Sequence, residues 1–449
     1  MYCTYMILSV RTLMTSTLCK MELFICSTVY FTCSTAFNIK KSALLKVYHN
    51  EDSDPKLIDR IVNIINGSNY NPSLLYCLID VNGQLQTMLK CCLRNLSLAI
   101  NLAIFKDNIA LDREIIYLQD GGSVALDWAT RPENLYIKSS NDDDNSDMSP
   151  IVIMKHGLIG DARSEYIVHM TQVLLAAGYR VVTMVSRGCG GLILTSDSIF
   201  PGRRTDEMAH CINHIHQKYP SVQLFLISFS LGAALSLQYI AESDEIYESS
   251  FTSSSSADPI DTADRVYYVP QLTATLCISP PWDMINNYKR QGIISFLWSA
   301  LLVTPLKFHY LRHSKDLLMM NPEKYSKISL WDIFTCIHVT DFDRVLHKIY
   351  YKKERKGFCR VNSSCSNSSS CSSDADYASS YYRNVEEYYE DISPIRSSHL
   401  INRTPTVVLT AEDDPICIHS LCPTTSDQIG KTLFVVSYTT LCLVDWLTS

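Results

Sequence analysis

The chain alternates short apolar runs with segments whose apolar residues recur at helical spacing. Apolar runs that begin at Ile151, Val181 and Leu224 predict buried strands, and later runs of this kind lie at 273–278, 406–410 and 431–438. Helical spacing marks 166–177 and 205–218. Strands that alternate with helices in this way predict an α/β fold, with a mostly parallel sheet covered by helices on both faces.

The third strand runs into Ser228-Phe229-Ser230-Leu231-Gly232, after which a helix is expected. A serine between small residues at a strand-to-helix turn is typical of a nucleophile elbow, where the tight turn holds the hydroxyl exposed above the sheet. Gly232 meets the need for a small residue two positions after the serine. Ser228 stands where G-x-S-x-G has its first glycine, so the motif is one step degenerate. A buried structural serine is the alternative interpretation.

The first strand runs into the loop His156-Gly157-Leu158-Ile159-Gly160. Such a loop after an early strand supplies one backbone donor of an oxyanion hole, and the residue after the nucleophile supplies the second. The expected donors are therefore the N–H groups of Leu158 and Leu231. His156 itself either helps to form this oxyanion loop or is simply a histidine that packs in a loop.

Further motifs follow in a fixed order. They are the leader Arg113–Trp128, H-G-L-x-G at 156–160, G-Y-R-V-V at 178–182, R-G-C-x-G at 187–191, the helix end Asn213–Pro220, Thr340–Asp343, Val385–Tyr389 and Ala411–Pro415. On these motifs, which cover residues 100–420 or so, the chain resembles the YheT-like branch of the α/β-hydrolase superfamily, hydrolase family 4. The resemblance implies the α/β-hydrolase fold with a cap insertion, and a triad of serine, acid and histidine.

By this resemblance Ser230 is the nucleophile, and the acid follows the strand at 406–410. Asp413 and Asp414 compete for that role, and counting from Ala411 favours Asp414. One carboxylate is enough, because the acid orients the histidine and stabilises its imidazolium. An ordinary Asp-Asp-Pro turn is the alternative interpretation.

The resemblance also implies a triad histidine after the last strand, in a G-G-H-like turn. No histidine follows His419, which lies five positions after Asp414 on the same predicted loop. His419 is the substitute base that the sequence offers, with an unusual path to Ser230; the spacing of His156 and His399 recommends neither. A serine without a base is a poor nucleophile at neutral pH. Two interpretations stay open: an altered C-terminal sequence, or a non-catalytic relative.

Composition narrows the set of partners. Hydrophobic residues make up 47% of the chain and charged residues 19%, which suffices for a sizeable core. A net charge of -7 without a basic stripe argues against nucleic acid. The 17 cysteines are scattered and form no CxxC pair, so neither a disulfide scaffold nor a zinc site is expected. The resemblance implies a reaction that needs no metal or organic cofactor.

Residues 23–39 carry no charge and lie between Lys20-Met21-Glu22 and Lys40-Lys41. They predict a single N-terminal membrane anchor, as animal members of the resembled family carry, with a signal-peptide core or a buried helix as alternatives. We therefore expect an N-terminal region at 1–100 and a hydrolase domain at 101–449. Within that domain we expect a cap at 280–390 and disorder in the Ser/Asn-rich stretch 361–380. An acidic, serine-rich insert is expected at 242–264.

The resemblance thus implies a membrane-associated serine hydrolase. Its substrate would be the carboxyl ester of a lipid-like molecule, such as an acylglycerol, a phospholipid or a short-chain ester, cleaved through an acyl-enzyme. Acyl transfer to an alcohol would use the same residues. The alternative is a catalytically inactive relative that binds lipid or a protein partner in the same pocket.

Overall fold

The computed structural model describes residues 46–59, 109–130, 148–199, 204–252, 272–288, 293–350 and 382–438, apart from Leu57, Arg383, Asp413 and Pro415. The predicted anchor at 23–39 and the predicted disordered stretch at 361–380 lie outside these residues. In the described part of the chain, no helix has the length and apolar character needed to cross a bilayer.

The described strands form one sheet. They are β1 Lys46–Tyr48, β2 Ala110–Tyr117, β3 Ser123–Thr130, β4 Ile151–Lys155, β5 Arg180–Val185, β6 Leu224–Phe229, β7 Leu272–Ile278, β8 Thr406–Ala411 and β9 Leu433–Tyr438. Their order is β1-β9-β8-β7-β6-β4-β5-β3-β2. The six central strands, β9, β8, β7, β6, β4 and β5, are parallel to one another. Strand β1 at one edge of the sheet, and β3 and β2 at the other, pair antiparallel. The predicted mostly parallel sheet is confirmed.

Helices follow the strands on both faces of the sheet. The described α-helices are α1 Glu165–Ala176, α2 Thr205–Lys218, α3 Leu231–Thr252, α4 Met284–Tyr288, α5 Ile293–Met320, α6 Pro322–Tyr325, α7 Leu330–Thr335, α8 Val339–Tyr350 and α9 Val385–Asp391. Because successive strand side chains point to opposite faces, Ile151 and Ile153 pack in the cluster that includes α2 and α3. Val152 and Met154 pack in a second cluster with α1. All five residues of β4 are buried, as expected of a central parallel strand.

Helix α3 is longer than the pattern of the sequence predicts. It continues through Thr252, so the first part of the expected insert at 242–264 is helical. Asp244, a buried residue in this extension, accepts backbone N–H groups from Asn402, Arg403 and Thr404 at 2.9, 2.8 and 3.3 Å. The acidic side chain therefore ties the end of α3 to the chain that enters β8, a long-range role that the local sequence does not reveal.

The segment between β7 and β8 builds a cap with its own core. Tyr310 and Leu317 on α5, Ile333 on α7 and Phe342 on α8 are buried together. The cap rests on the loop that follows β5, where the side chain of Asn321 and the ammonium group of Lys324 both reach Asp197, at 2.7 and 3.3 Å.

Strand β1 belongs to the stretch that the sequence analysis assigned to the N-terminal region. It pairs antiparallel with β9, and the Ser53 hydroxyl donates to the carbonyl of Lys431 at 2.9 Å. Residues before position 100 thus contribute to the same sheet, while the domain boundaries themselves stay a prediction.

Candidate active site

Ser230 occupies a sharp corner between β6 and α3. Its φ is 51°, in the left-handed region that non-glycine residues rarely adopt. Its N–H donates to the carbonyl of Ile278 at 2.8 Å, and its own carbonyl accepts from Ala233 and Ala234 at 2.9 and 3.0 Å. The last strand bond and the first helix bonds therefore meet on one residue, which is the geometry of a nucleophile elbow.

The two small residues around Ser230 have different roles. A Cβ built on Gly232 would lie 2.3 Å from the carbonyl oxygen of His156 and 2.9 Å from Cγ of Lys155, so only glycine fits there. Ser228 is fully buried, and its hydroxyl donates to the thiol of Cys277 on the neighbouring strand at 3.3 Å. The degenerate first position of the motif is therefore compatible with the elbow, because its side chain points into the sheet contact with β7.

The loop after β4 lies directly against the elbow. A Cβ built on Gly157 would be 3.1 Å from Cβ of Ser230. The N–H of Gly157 donates to the hydroxyl of Tyr166 at 3.0 Å, whereas the N–H of Leu158 has no partner among the described residues. Leu231, as the first residue of α3, has no earlier turn of helix to accept its N–H. Leu158 thus follows the residue that lies against Ser230, and Leu231 follows Ser230 itself, while their role as oxyanion donors stays a prediction.

His156 fixes this loop and is unsuited to act as the base. Its Nε2 accepts from the N–H of Ser186 at 3.1 Å, which leaves Nδ1 to donate to the carbonyl of Gly157 at 2.7 Å. Burial, helped by the neighbouring Lys155, lowers the pKa of His156 to about 3. Both ring nitrogens are engaged and the ring is neutral. His399 lies on the turn that precedes β8, at the opposite end of the strands from Ser230.

Asp414 follows the carboxyl end of β8, two strands away from Ser230. Its Oδ1 accepts the N–H groups of Ile416 and Cys417 at 2.8 and 2.9 Å, and its own N–H donates to the carbonyl of Ala411 at 3.3 Å. These bonds close a compact turn beyond the strand. Asp413 lies outside the described residues, so the preference for Asp414 stays a prediction.

Cys417 is the side chain that this turn brings to the nucleophile. The buried thiol lies beside the side chain of Ser230 and near Asp414, and both influence its pKa. Burial and then the charge of Asp414 raise the pKa of the Cys417 thiol well above its usual value, so the sulfur stays protonated. The sequence analysis missed this residue, although its place three positions after the acid was a usable signal.

His419 begins a short 3₁₀ turn two residues beyond Cys417 and is partly buried. The backbone between them is attached to the cap, because Ile418 donates its N–H to Oδ1 of Asn287 at 3.3 Å. The structure therefore keeps His419 on the same loop as Asp414, as the sequence predicts. Its role as a substitute base stays a prediction.

Comparison with known proteins agrees with this geometry. A family model described as alpha/beta hydrolase fold matches residues 150–271, a range that contains β4, β5, β6, the elbow and α3. The chain has the α/β-hydrolase fold. The fold class expected from the sequence motifs is confirmed.

Several characterised relatives of this hydrolase-fold chain are lipid-active enzymes by name. Phospholipase ABHD3 from Bos taurus is 32% identical over 129 residues, which cover 29% of this chain and 30% of the relative. Monoacylglycerol lipase from Saccharomyces cerevisiae is 24% identical, over 61% of this chain and 49% of the lipase. Medium-chain fatty acid ethyl ester synthase/esterase 2 from the same yeast is 23% identical, over 68% of each chain. The match thus spans less than a third of the phospholipase and about half of the lipase.

The cap places two histidines against the loop that follows β5. A Cβ built on Gly188 would be 3.3 Å from Cε1 of His309 and 3.2 Å from Nε2 of His313, and the same His313 nitrogen lies 2.9 Å from the carbonyl of Gly188. In the described residues, the buried Nε2 of His309 has no hydrogen-bond partner. Burial, with His313 and Arg312 nearby, lowers the pKa of His309 to about 4. A neutral imidazole therefore faces the loop beside His156.

A buried ionic network supports the loop on which the cap rests. Arg187 is 1% exposed and contacts Glu207 at 2.5 Å and Asp120 at 2.7 Å, and Arg204 contacts the same Glu207 at 3.0 Å. Burial disfavours the Asp120 carboxylate, but the hydrogen bond and charge of Arg187 outweigh it and lower the pKa of Asp120 to about 2. The sequence offers only the R-G-C-x-G motif here and does not predict the network, because the partners of Arg187 come from distant parts of the chain.

Proposed function

We propose that this chain is a serine hydrolase that cleaves the carboxyl ester of a lipid-like substrate through an acyl-enzyme. The observation that carries the proposal is the strained Ser230 corner, which lies against Gly157. The N–H groups of Leu158 and Leu231, the residues next to Gly157 and Ser230, have no backbone partner among the described residues. The printed names of the relatives support an acylglycerol, phospholipid or short-chain ester as the substrate class.

In this scheme the Ser230 oxygen attacks the ester carbonyl while its proton passes to a base. The N–H groups of Leu158 and Leu231 stabilise the oxyanion that forms, an interaction that typically contributes 10²–10³-fold per donor. The base returns the proton to the leaving alcohol. Water then attacks the acyl-serine by the same route and releases the acid.

We assign the acid and the base of this scheme to the loop that follows β8. Asp414 is the acid that would orient the imidazole, and His419 is the histidine on the same loop. We infer that residues 414–419 supply both the acid and the base, and that the thiol of Cys417 lies between them beside Ser230.

The contact between Cys417 and Ser230 also favours a second candidate function. A protonated thiol is a poor acceptor for the serine proton, so the enzyme-like corner is paired with a non-basic group. A chain that kept this arrangement would bind a lipid or a protein partner in the pocket without turnover.

Labelling of the folded full-length chain with a fluorophosphonate separates the two functions. The hydrolase predicts an adduct at Ser230 that is lost in Ser230→Ala and kept in the matched control Ser228→Ala. It further predicts that His419→Asn slows labelling at least 100-fold. Labelling that survives His419→Asn would assign the base elsewhere, and no adduct on folded protein would favour the binding function.

A further inference from the structure

The cap carries an exposed apolar face. We define the cap face as Phe296, Phe308 and Met319 of α5, Trp331 and Phe334 of α7, and Ile337. Trp331 is 72% exposed, Phe308 69% and Met319 64%. Large exposed apolar side chains scattered singly are ordinary, but a group of them on one surface marks an interaction site.

Two contacts join the members of the cap face across the helices. The ammonium group of Lys307 on α5 donates to the carbonyl of Phe334 on α7 at 2.9 Å, which places Phe334 beside the helix turn that carries Phe308. The ring of Phe296 lies 5.7 Å from the ring of His338, next to Ile337. The face is therefore shared by α5, α7 and the residues that follow α7.

Packing of the cap does not explain these side chains. Helix α7 has the sequence Leu-Trp-Asp-Ile-Phe-Thr, yet only Ile333 is buried, while Leu330, Trp331 and Phe334 are all exposed. The cap core is supplied from the opposite side of the helices, by residues such as Tyr310 and Leu317. Polar residues at the exposed positions would serve the fold equally well.

Basic side chains accompany the apolar ones. On α5, exposed positions recur at Phe308, Arg312, Lys315 and Met319, so aromatic, basic and aliphatic groups share one face of the helix. Residues 293–337 carry five basic and three acidic side chains, a net +2, in a chain whose net charge is -7. The cap is thus locally positive against an acidic whole.

We propose that the cap face docks on a lipid bilayer with anionic headgroups. Aromatic side chains beside Lys and Arg suit the boundary between headgroups and acyl chains, where apolar groups insert and cations meet the negative surface. The inner side of α5 holds His309 and His313 against the Gly188 loop, so a bilayer on the outer side lies one helix away from the candidate site. This inference stands on the cap surface alone and does not require turnover at Ser230.

Depth-dependent quenching of Trp331 tests the proposal. The full-length Ser230→Ala protein, which excludes substrate turnover, is mixed with vesicles of brominated phosphatidylcholine and phosphatidylserine. Trp331 is highly exposed, whereas Trp282 and Trp298 are 1% and 7% exposed. We expect strong quenching in the parent protein and its loss in Trp331→Phe. Attachment by a segment such as 23–39 does not confound this result, because the quenching reports the depth of Trp331 itself.

Two sets of variants serve as controls: one removes basic charge from the cap face, and the other removes an aromatic side chain elsewhere. Arg312→Gln with Lys315→Gln is expected to raise the vesicle concentration for half-maximal quenching roughly 25-fold, at about one factor of five per basic side chain. Tyr117→Ser removes an aromatic of matched 70% exposure on the edge strand β2, outside the cap, and should leave quenching unchanged.

Two outcomes would overturn the proposal. One is the absence of Trp331 quenching, whether or not the protein sediments with vesicles. The other is a dimer in solution that Trp331→Ser converts to a monomer without any vesicle contact, since a second copy would then be the occupant of the cap face.

Discussion

Replacement of Gly232 by alanine tests the close approach between the elbow helix and the oxyanion loop. The added Cβ would start 2.3 Å from the carbonyl oxygen of His156, and it must withdraw by about 0.7 Å merely to reach 3.0 Å, the lower limit of real Cβ contacts. The opposing atom is backbone, so no side-chain rotation relieves the clash. The first turn of α3 must move away from the loop after β4.

The sign of the stability change makes this test decisive. Without a clash, alanine in a helix is more stable than glycine by about 0.5–1 kcal/mol. Overpacking in a close contact destabilises by about 1–3 kcal/mol. We therefore expect Gly232→Ala to lower the free energy of unfolding by about 1–2 kcal/mol, measured in urea. The control Ser228→Ala loses only the weak hydroxyl-to-thiol bond and should change it by less than about 1 kcal/mol.

The same displacement separates the N–H groups of Leu158 and Leu231. A misplacement near 1 Å at a reacting centre lowers rates about 10²-fold, so fluorophosphonate labelling of Ser230 should slow by roughly that factor. A Gly232→Ala protein that is more stable than its parent and labels at an unchanged rate would refute the close-packed elbow.

Three further predictions address the surroundings of the site. Glu207→Gln takes from the buried Arg187 one of its two carboxylate partners and leaves Asp120, so it should destabilise by about 1–3 kcal/mol in urea unfolding; an unchanged free energy of unfolding would mean that the network is not buried. His156 has a folded pKa of about 3 against an ordinary 6.5, so the unfolded chain binds its proton first and stability should fall as the pH drops from 6.5 towards 3, by about 4 kcal/mol. Between pH 4 and 6, the slope of the free energy of unfolding against pH reports the protons that the chain takes up on unfolding, and His156→Gln should lower that number by about one. An unchanged slope would contradict the neutral ring. Burial and the charge of Asp414 should keep Cys417 from alkylation by iodoacetamide at pH 8, at least tenfold slower than a free thiol by peptide mass spectrometry; alkylation at the free-thiol rate would show an open turn.

The sequence predicts the sheet and the elbow well because their signals are local. Helix α2 has the predicted bounds, Thr205–Lys218, since its apolar positions follow one face of a helix. Strand β4 is a continuous apolar run because both of its faces are covered. Gly232 and Ser230 are recognisable because the tight turn constrains adjacent positions.

Features that depend on distant parts of the chain escape such reasoning. The continuation of α3 past Glu242 rests in part on Asp244, whose three backbone partners lie near position 403. His309 becomes part of the site only because α5 folds back on the loop after β5. Cys417 lies near Ser230 because strand pairing brings the loop after β8 to the elbow after β6, although its spacing from Asp414 is readable in the sequence.

The pairing of β1 with β9 has a consequence for the order of folding. Ser53 and Lys431, which this pairing brings together, are 378 residues apart. At about 5–20 residues per second, a ribosome takes roughly 20–75 s to synthesise that interval. During this time β1 has no partner strand, and its exposed backbone groups are open to other chains. Of the described strands, β1 is therefore translated first, yet it can pair with β9 only after nearly the whole described chain has been made.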